Sequence, residues 1–426
     1  MNKKETVFFV GIGGIGMSAL AQLYLSKGMH VAGSDRGGSK VTKLLEDKGV
    51  SVHIGHDAEN IPRGTTLLVY SDAVPEDNVE RVRARKMGVQ ELSYFEALGE
   101  ATREGMSIVV AGTHGKTTTT AMLAKVLIEA GENPTVIAGS ILSEYGSNFV
   151  EGRTDLFVIE GCEYRRHFLH LHPDVLVINN IELDHTDYYE NLEDMQSAFR
   201  QVIGRLSKNG VIVTNTTSET IVPVIENAEN VIVPFQGTVV PELLAKGTFN
   251  KENARAAKTA TLVGFPEVGL SKIDEALRAF TGTWRRFEYK GVTKNGAIVY
   301  DDYAHHPTAV SGTITMVMEE FADKKLTVVF HPHLYSRTKK FFDEFAEALS
   351  LADEVIILPI FAAREKEDPT VRSEVLVEAI NYKKGNAQYA ESFEEVKELL
   401  LKKGKNSLVV TMGAGDVYLL GDDIVA

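Results

Sequence analysis

The stretch Ile108-Val109-Val110-Ala111-Gly112-Thr113-His114-Gly115-Lys116-Thr117-Thr118-Thr119-Thr120 passes from an apolar run, through a glycine-bracketed turn, into a segment whose Met122, Leu123, Val126 and Leu127 have helical spacing. A strand feeding a tight turn that opens a helix aims backbone N–H groups and the positive end of the helix at one point, which suits a chain of phosphates. Gly112 and Gly115 let the backbone approach closely, with Thr113 and His114 between them. Lys116 reaches the outer phosphates, and the Thr117 hydroxyl, followed by Thr118, is placed for Mg²⁺. The general nucleotide loop has a glycine where this chain has Val110. The stretch predicts an ATP site.

Upstream, a short apolar strand at 6–10 runs into Gly11-Ile12-Gly13-Gly14-Ile15-Gly16 and a helical segment from Met17. The next strand ends at Asp35, about 20 positions on. This is a GxGxxG turn in a βαβ unit. Taken alone it predicts a dinucleotide, with Asp35 on the ribose. What it physically encodes is a pyrophosphate on a helix N-terminus, and UDP carries one too. A further strand at 66–71 ends at Ser71, a helix is expected over 77–86, and the polar run 99–106 reads as the first linker.

Downstream, strands at 155–159 and 175–180 end at Glu160 and just before Ile181-Glu182-Leu183-Asp184-His185. Residues at the carboxyl ends of parallel strands line the ligand crevice, so Glu160 and His185 are candidates to hold a second divalent cation beside the phosphates. Cys162, flanked by carboxylates, reads as structural, because they raise its thiol pKa. Gly247-Thr248-Phe249-Asn250-Lys251-Glu252-Asn253 opens an alanine-rich helix over 254–262, and 281–283 marks a second linker with Gly282 as a hinge. The last third restarts the strand–helix alternation. Its strand ends carry Asp301-Asp302-Tyr303-Ala304-His305-His306-Pro307, His331-Pro332-His333-Leu334-Tyr335-Ser336-Arg337-Thr338, and Met412-Gly413-Ala414-Gly415-Asp416. The expected fold class is α/β in three domains, 1–105, 106–282 and 283–426.

Composition sets outer limits. The chain has 426 residues, 44% apolar and 24% charged, an ordinary globular balance that is too long for one core. A formal charge of −14 argues against a general nucleic-acid binder. One cysteine excludes an internal disulfide, no apolar run approaches a membrane span, and residues 1–6 pass straight into a strand without a secretory signal. The expectation is a cytoplasmic enzyme without membrane insertion.

The segments 112–118, Asp301–Pro307 and Pro332-His333 with Ser336-Arg337-Thr338 resemble the Mur ligases of peptidoglycan synthesis, and the likeness runs from Gly11 to about Asp416 in that family's order. The resemblance implies a Rossmann-like N-terminal domain that holds UDP, a P-loop-type central ATPase domain and a Rossmann-like C-terminal domain for the amino acid. It is strongest toward the members that join L-alanine to the lactyl carboxylate of UDP-N-acetylmuramate through an acyl phosphate. On this likeness Gly13, Gly14, Ile15, Gly16, Asp35 and Ser71 serve the UDP substrate, and Lys116 and Thr117 the ATP phosphates and Mg²⁺. Glu160 and His185 hold the second Mg²⁺, Asn253, Arg286 and Asp302 contact ATP, and His333 and Arg337 lie near the muramoyl acid and alanine. His305 or His333 assists deprotonation of the amine. A monomer or weak homodimer is expected.

The departures are local. The acidic stretch that commonly reads Glu-Ala-Asp-Glu-Ser-Asp is Glu160-Gly161-Cys162-Glu163-Tyr164-Arg165 here. Leu334 replaces an arginine, and the stretch between Asn215 and Gly247 is short. Residues 196–201 contain no lysine, where ligases adding later residues carry one. Two rivals are a murein peptide recycling ligase and an NAD-dependent oxidoreductase, the latter leaving 112–118 unused.

Overall fold

Strands that read as near-continuous apolar runs are covered on both faces, as parallel strands require. The computed structural model describes residues 5–363 and 365–425. The first sheet contains β1 (Thr6–Val10), β2 (His30–Asp35), β3 (Ser51–Ile54), β4 (Thr65–Tyr70) and β5 (Gln90–Ser93). All are parallel, in the doubly wound order β3-β2-β1-β4-β5. The second contains β6 (Met106–Ala111), β7 (Pro134–Leu142), β8 (Ser147–Val150), β9 (Arg153–Glu160), β10 (Val175–Ile178), β11 (Val211–Thr214) and β12 (Val231–Pro234), in the order β12-β11-β10-β6-β9-β7-β8. Only its β7–β8 pair is antiparallel. The third contains β13 (Glu288–Val292), β14 (Ile298–Asp302), β15 (Lys325–Phe330), β16 (Glu354–Ile357), β17 (Ala387–Tyr389) and β18 (Ser407–Met412), in the order β13-β14-β18-β15-β16-β17. There the β13–β14 edge is antiparallel. The α/β expectation with three sheet domains is borne out.

The described chain forms two compact units. The first holds the first two sheets, from residues up to Ile181, Gln196–Glu242 and Asn253–Ala279. The second holds the third sheet together with Glu182–Met195 and Leu243–Glu252. In the second unit, period-two alternation sorts side chains to opposite faces. Val328, Phe330, Val410 and Met412 join Val310, Ile314, Phe345 and Leu349 on one side. Val329, Ile356 and Val409 join Val396, Leu400, Val417 and Leu420 on the other.

Caps explain where several helices begin. The helix expected from 77 starts at Val79, because the Asn78 side chain accepts from the N–H groups of Glu80 and Arg81. The polar run 99–106 is not all linker: Ser93 and Glu96 form a capping box, and the helix Tyr94–Thr102 continues through Gly99. Glycine is required there, since a Cβ on it would sit 2.1 Å from the His170 carbonyl oxygen. The alanine-rich helix spans Thr248–Gly264, so Asn253 lies inside it and does not cap it. Among the described residues, no helix is long and apolar enough to cross a membrane.

Gly99→Ala therefore forces two backbones apart. Urea unfolding should show a loss of about 1–3 kcal/mol, the usual range for overpacking; an unchanged midpoint would mean that this approach is not held rigidly.

Candidate active site

In the first unit, β6 delivers the phosphate-loop residues at its carboxyl end. Gly112 has φ 137° and Gly115 φ 78°, both in the region glycine favours. The loop is stitched to the end of β10: Thr113 N–H donates to the Asn180 carbonyl (3.1 Å) and His114 N–H to Asn180 Oδ1 (2.8 Å). A Cβ on Gly115 would meet Asn253 Oδ1 at 2.2 Å, so any larger residue there would push the Asn253 side chain aside. Asn253 Oδ1 also accepts from Thr119 Oγ1 (3.2 Å).

Lys116 Nζ donates to the carbonyls of Gly112 (2.7 Å) and Thr113 (3.1 Å) and to Glu163 Oε1 (2.9 Å). Burial disfavours the ammonium, but Glu163 and then Glu160 outweigh that and raise its pKa. Thr117 Oγ1 donates to Glu160 Oε1 (3.0 Å), whose partner oxygen accepts from Gly139 N–H (2.7 Å). A hydroxyl and a carboxylate at this separation are the oxygen donors a hard divalent cation takes. The half-buried Cys162 thiol is pushed up to about 12 by burial and then by Glu163, which suits its structural reading.

The first sheet carries the other glycine turn. Gly11 and Ile12 donate their N–H groups to the Ser34 carbonyl, and Gly13 N–H donates to Asp35 Oδ2 (2.8 Å). A Cβ on Gly11 would touch Ser71 Cβ at 3.2 Å, and one on Gly16 would strike the Tyr94 ring at 2.7 Å. Gly14 caps the helix Ile15–Ser26, and Asn148 Nδ2 donates to the Ile15 carbonyl. Gly13, Asp35, Gly11 and Ser71 are thus brought together at one sheet edge.

The second unit gathers the remaining candidates. Arg337, only 3% exposed, donates through Nε (2.9 Å) and Nη2 (2.8 Å) to Asp184 Oδ1, and its Nη1 lies 3.0 Å from His333 Nδ1. Burial would raise the Asp184 pKa, but Arg337 above all holds it well below the usual carboxylate range. His305 Nε2 lies 3.8 Å from Asp184 Oδ2, and its Nδ1 is 2.8 Å from the Tyr303 carbonyl. Burial, then Arg337, keeps His305 well below the ordinary imidazole value. The His305 and His333 rings are 6.2 Å apart, and His333 stacks on Phe361. His185, at φ 51°, donates its N–H to Asp184 Oδ1 (2.7 Å).

Asp302 ends β14, accepting from Ala304 N–H (3.0 Å) and Thr313 Oγ1 (2.7 Å). Burial raises its pKa to about 6. Arg286 lies over the Tyr303 ring. Its neighbour Arg285 is buried, binding Asp301 and the carbonyls of Gly413 and Gly415. Glu160 belongs to the first unit and His185 to the second.

Three family models cover most of the chain. The Mur ligase family catalytic-domain model matches residues 6–105, the Mur ligase middle-domain model 110–260, and the Mur ligase glutamate-ligase-domain model 285–415. The chain belongs to the Mur ligase family. It is 35% identical to the UDP-N-acetylmuramate–L-alanine ligase of Clostridium acetobutylicum, over 98% of this chain and 97% of that one. The enzyme of the same name from Acetivibrio thermocellus is 36% identical, over 99% and 96%. The crystal structure of the UDP-N-acetylmuramate–alanine ligase from Thermotoga maritima superposes with a TM-score of 0.79 at 28% identity, covering 98% of each chain. A murein peptide ligase from Psychrobacter arcticus, 22% identical with a TM-score of 0.68 and covering 99% of this chain and 100% of that one, shares the fold.

For this Mur ligase, sequence reasoning missed the groups that hold the named residues. Glu163, the partner of Lys116, sat in the acidic stretch as a mere departure from the family pattern. Asp184, the partner of Arg337, stood beside His185 and drew less attention. Acidic residues just past a strand end were the available signal; which cation each one meets is decided by the tertiary fold.

Two consequences are measurable. A side chain at Gly13 would meet Asp35 Oδ2 at 2.9 Å and Thr42 Cγ2 at 3.1 Å. Gly13→Val should raise the KM for a UDP substrate by roughly tenfold or more while leaving the ATP KM nearly unchanged; equal changes in both would contradict separate sites. Arg337→Ala leaves Asp184 buried without its main counter-charge and should cost about 3–5 kcal/mol in denaturant unfolding. Adding Asp184→Asn to that variant should restore part of the loss, and a double mutant no better than Arg337→Ala would rule out the ion pair as the cause.

Proposed function

We propose that this chain is an ATP-dependent ligase joining L-alanine to the lactyl carboxylate of UDP-N-acetylmuramate, with ADP and phosphate as the other products, in peptidoglycan precursor synthesis. The observation that carries the reading is end-to-end likeness, at 35–36% identity, to enzymes named for that reaction. The murein peptide ligase matches are weaker, at 22% and 26%. An oxidoreductase would leave the Gly112–Lys116 cradle without a use.

A carboxylate anion does not yield to an amine, so it must first become an acyl phosphate, which requires two anions to meet. Lys116 and the N-terminus of the helix Lys116–Ala130 supply positive potential where that charge collects. For Lys116 to follow an outer phosphate, its ammonium exchanges Glu163 and the loop carbonyls for phosphate oxygens. Thr117 and Glu160 would hold a Mg²⁺, whose contribution when bound is neutralisation of phosphate charge. On the family likeness His185 joins Glu160 around a second Mg²⁺. Asn253, Arg286 and Asp302 would position the nucleotide.

Arg337 is proposed to act at the amino-acid end. Its planar fork is already oriented by Asp184 and His333. His305 is one candidate to assist removal of the alanine ammonium proton; burial and Arg337 keep its ring neutral, and the same two effects weaken it as a base. His333 is the alternative base. The assigned domains are 1–105 for the UDP substrate, 106–282 for ATP and 283–426 for the amino acid, with Gly282 (φ 111°) as the hinge. The reading includes a cytoplasmic location and a monomer or weak homodimer.

The test is phosphate release from ATP with UDP-N-acetylmuramate, each amino acid supplied singly. Release should depend on L-alanine, and release driven instead by a peptide would favour the recycling ligase. Lys116→Ala should lower turnover at least on the order of 10²–10³-fold, with UDP-N-acetylmuramate still bound. Wild-type turnover in that variant would remove the loop from the mechanism.

A further inference from the structure

One carboxylate of the helix Val79–Lys86 is fully buried and, among the described residues, makes no ion pair with an arginine or lysine. Glu80, 0% exposed, accepts from Ser34 Oγ (2.6 Å), Asn60 Nδ2 (2.8 Å) and the Asp57 N–H (3.4 Å). Two of those bonds fasten the loop after β3 to the helix Val79–Lys86, and the third fastens β2 to it. A fourth group is added: His56 Nδ1 lies 2.8 Å from Glu80 Oε2. Two acceptors do not approach so closely, so Nδ1 carries the hydrogen and donates it to Glu80. In the neutral ring, the lone pair is then on Nε2. Nε2 has no partner among the described residues, and the His56 side chain is 19% exposed.

His56 stands where this acceptor has a use. The order β3-β2-β1 places three strand ends side by side. The Gly11–Gly16 turn follows β1, Asp35 ends β2, and Gly55-His56 follows β3. They are joined directly: Gly11 N–H and Ile12 N–H donate to the Ser34 carbonyl, Gly55 N–H donates to the Asp35 carbonyl, and Ser34 Oγ is 3.0 Å from His56 Nδ1. Ligands of doubly wound sheets lie along these carboxyl ends. With the diphosphate on the turn and the ribose at Asp35, the next strand outward, two strand spacings or roughly 10 Å from β1, receives the base.

We infer that His56 reads the pyrimidine of the nucleotide substrate, its Nε2 accepting the N3–H of uracil, and that Glu80 is the positioning residue that fixes the ring and its tautomer. This rests on the proposed use of the Gly11–Gly16 turn for UDP. Cytosine presents a lone pair at N3, so the same contact rejects it. Buried recognition groups left unpaired are what give such sites their discrimination.

The experiment is equilibrium binding of UDP, CDP and UDP methylated at N3 to the full chain, with thermal melts confirming that each variant folds. The wild type should bind UDP on the order of tenfold or more tighter than either analogue. His56→Phe, which keeps a flat ring without the acceptor, should bring the three within about threefold by weakening UDP alone. Glu80→Gln, whose amide can donate to Nδ1 and so release the tautomer, should shrink the same ratio and serves if His56→Phe does not fold. An undiminished UDP preference in the folded variants, or a wild type that binds all three alike, overturns the inference while leaving the UDP site in place. No UDP binding by the wild type overturns both.

Discussion

At each strand-to-loop junction that matters here, backbone N–H groups emerge with no strand left to pair them, and leaving them buried and unpaired is costly. The protein answers with oxygen atoms at strand ends, from a neighbouring strand or, for Ala304, from the strand just completed. Asp35 takes Gly13 N–H, Asn180 takes the N–H groups of Thr113 and His114, and Asp302 takes Ala304 N–H. Each of these oxygens comes from a position at or just past the carboxyl end of a parallel strand. Polar residues at those positions are thus part of how each loop is built.

Buried charge follows the same economy. Lys116 and Glu163, Arg337 and Asp184, and Arg285 and Asp301 are paired within their own units. The directions of their shifts separate the roles. Asp184 is held ionised by Arg337, whereas Asp301 and Asp302 are pushed upward by burial. Removing one partner from any of these pairs costs more than the pair contributes, because the charge left behind is desolvated. Arg285 shows how far this extends. It ties β14 to the carbonyls after β18.

Local sequence was enough to specify the phosphate loop, the glycine turn with Asp35, the strand ends and the α/β class. These depend on neighbours in the chain: apolar runs, glycines with positive φ, and a helix that must start where a strand stops. The resemblance to the Mur ligases was also legible, because its motifs sit at strand ends in a fixed order. The helix starts at Val79 and Thr248, and the helix running through Gly99, were less so. The Asn78 cap sets the start at Val79, and the closeness of the residue 170 carbonyl accounts for a glycine at 99.

What only the tertiary structure decided is which charges meet. Lys116 and Glu163 are 47 positions apart, Arg337 and Asp184 are 153 apart, and Glu80 reaches back 24 to His56. Lys116 and Glu163 meet because β6 and β9 are neighbours in one sheet, whereas Arg337 and Asp184 follow strands of different sheets and meet only through the packing of the second unit. The lateral sequences β3-β2-β1 and β10-β6-β9 bring together ends that are distant in the chain, and periodicity along one strand carries no information about its neighbour. Sequence determined the chemistry available at each strand end; packing determined its partners.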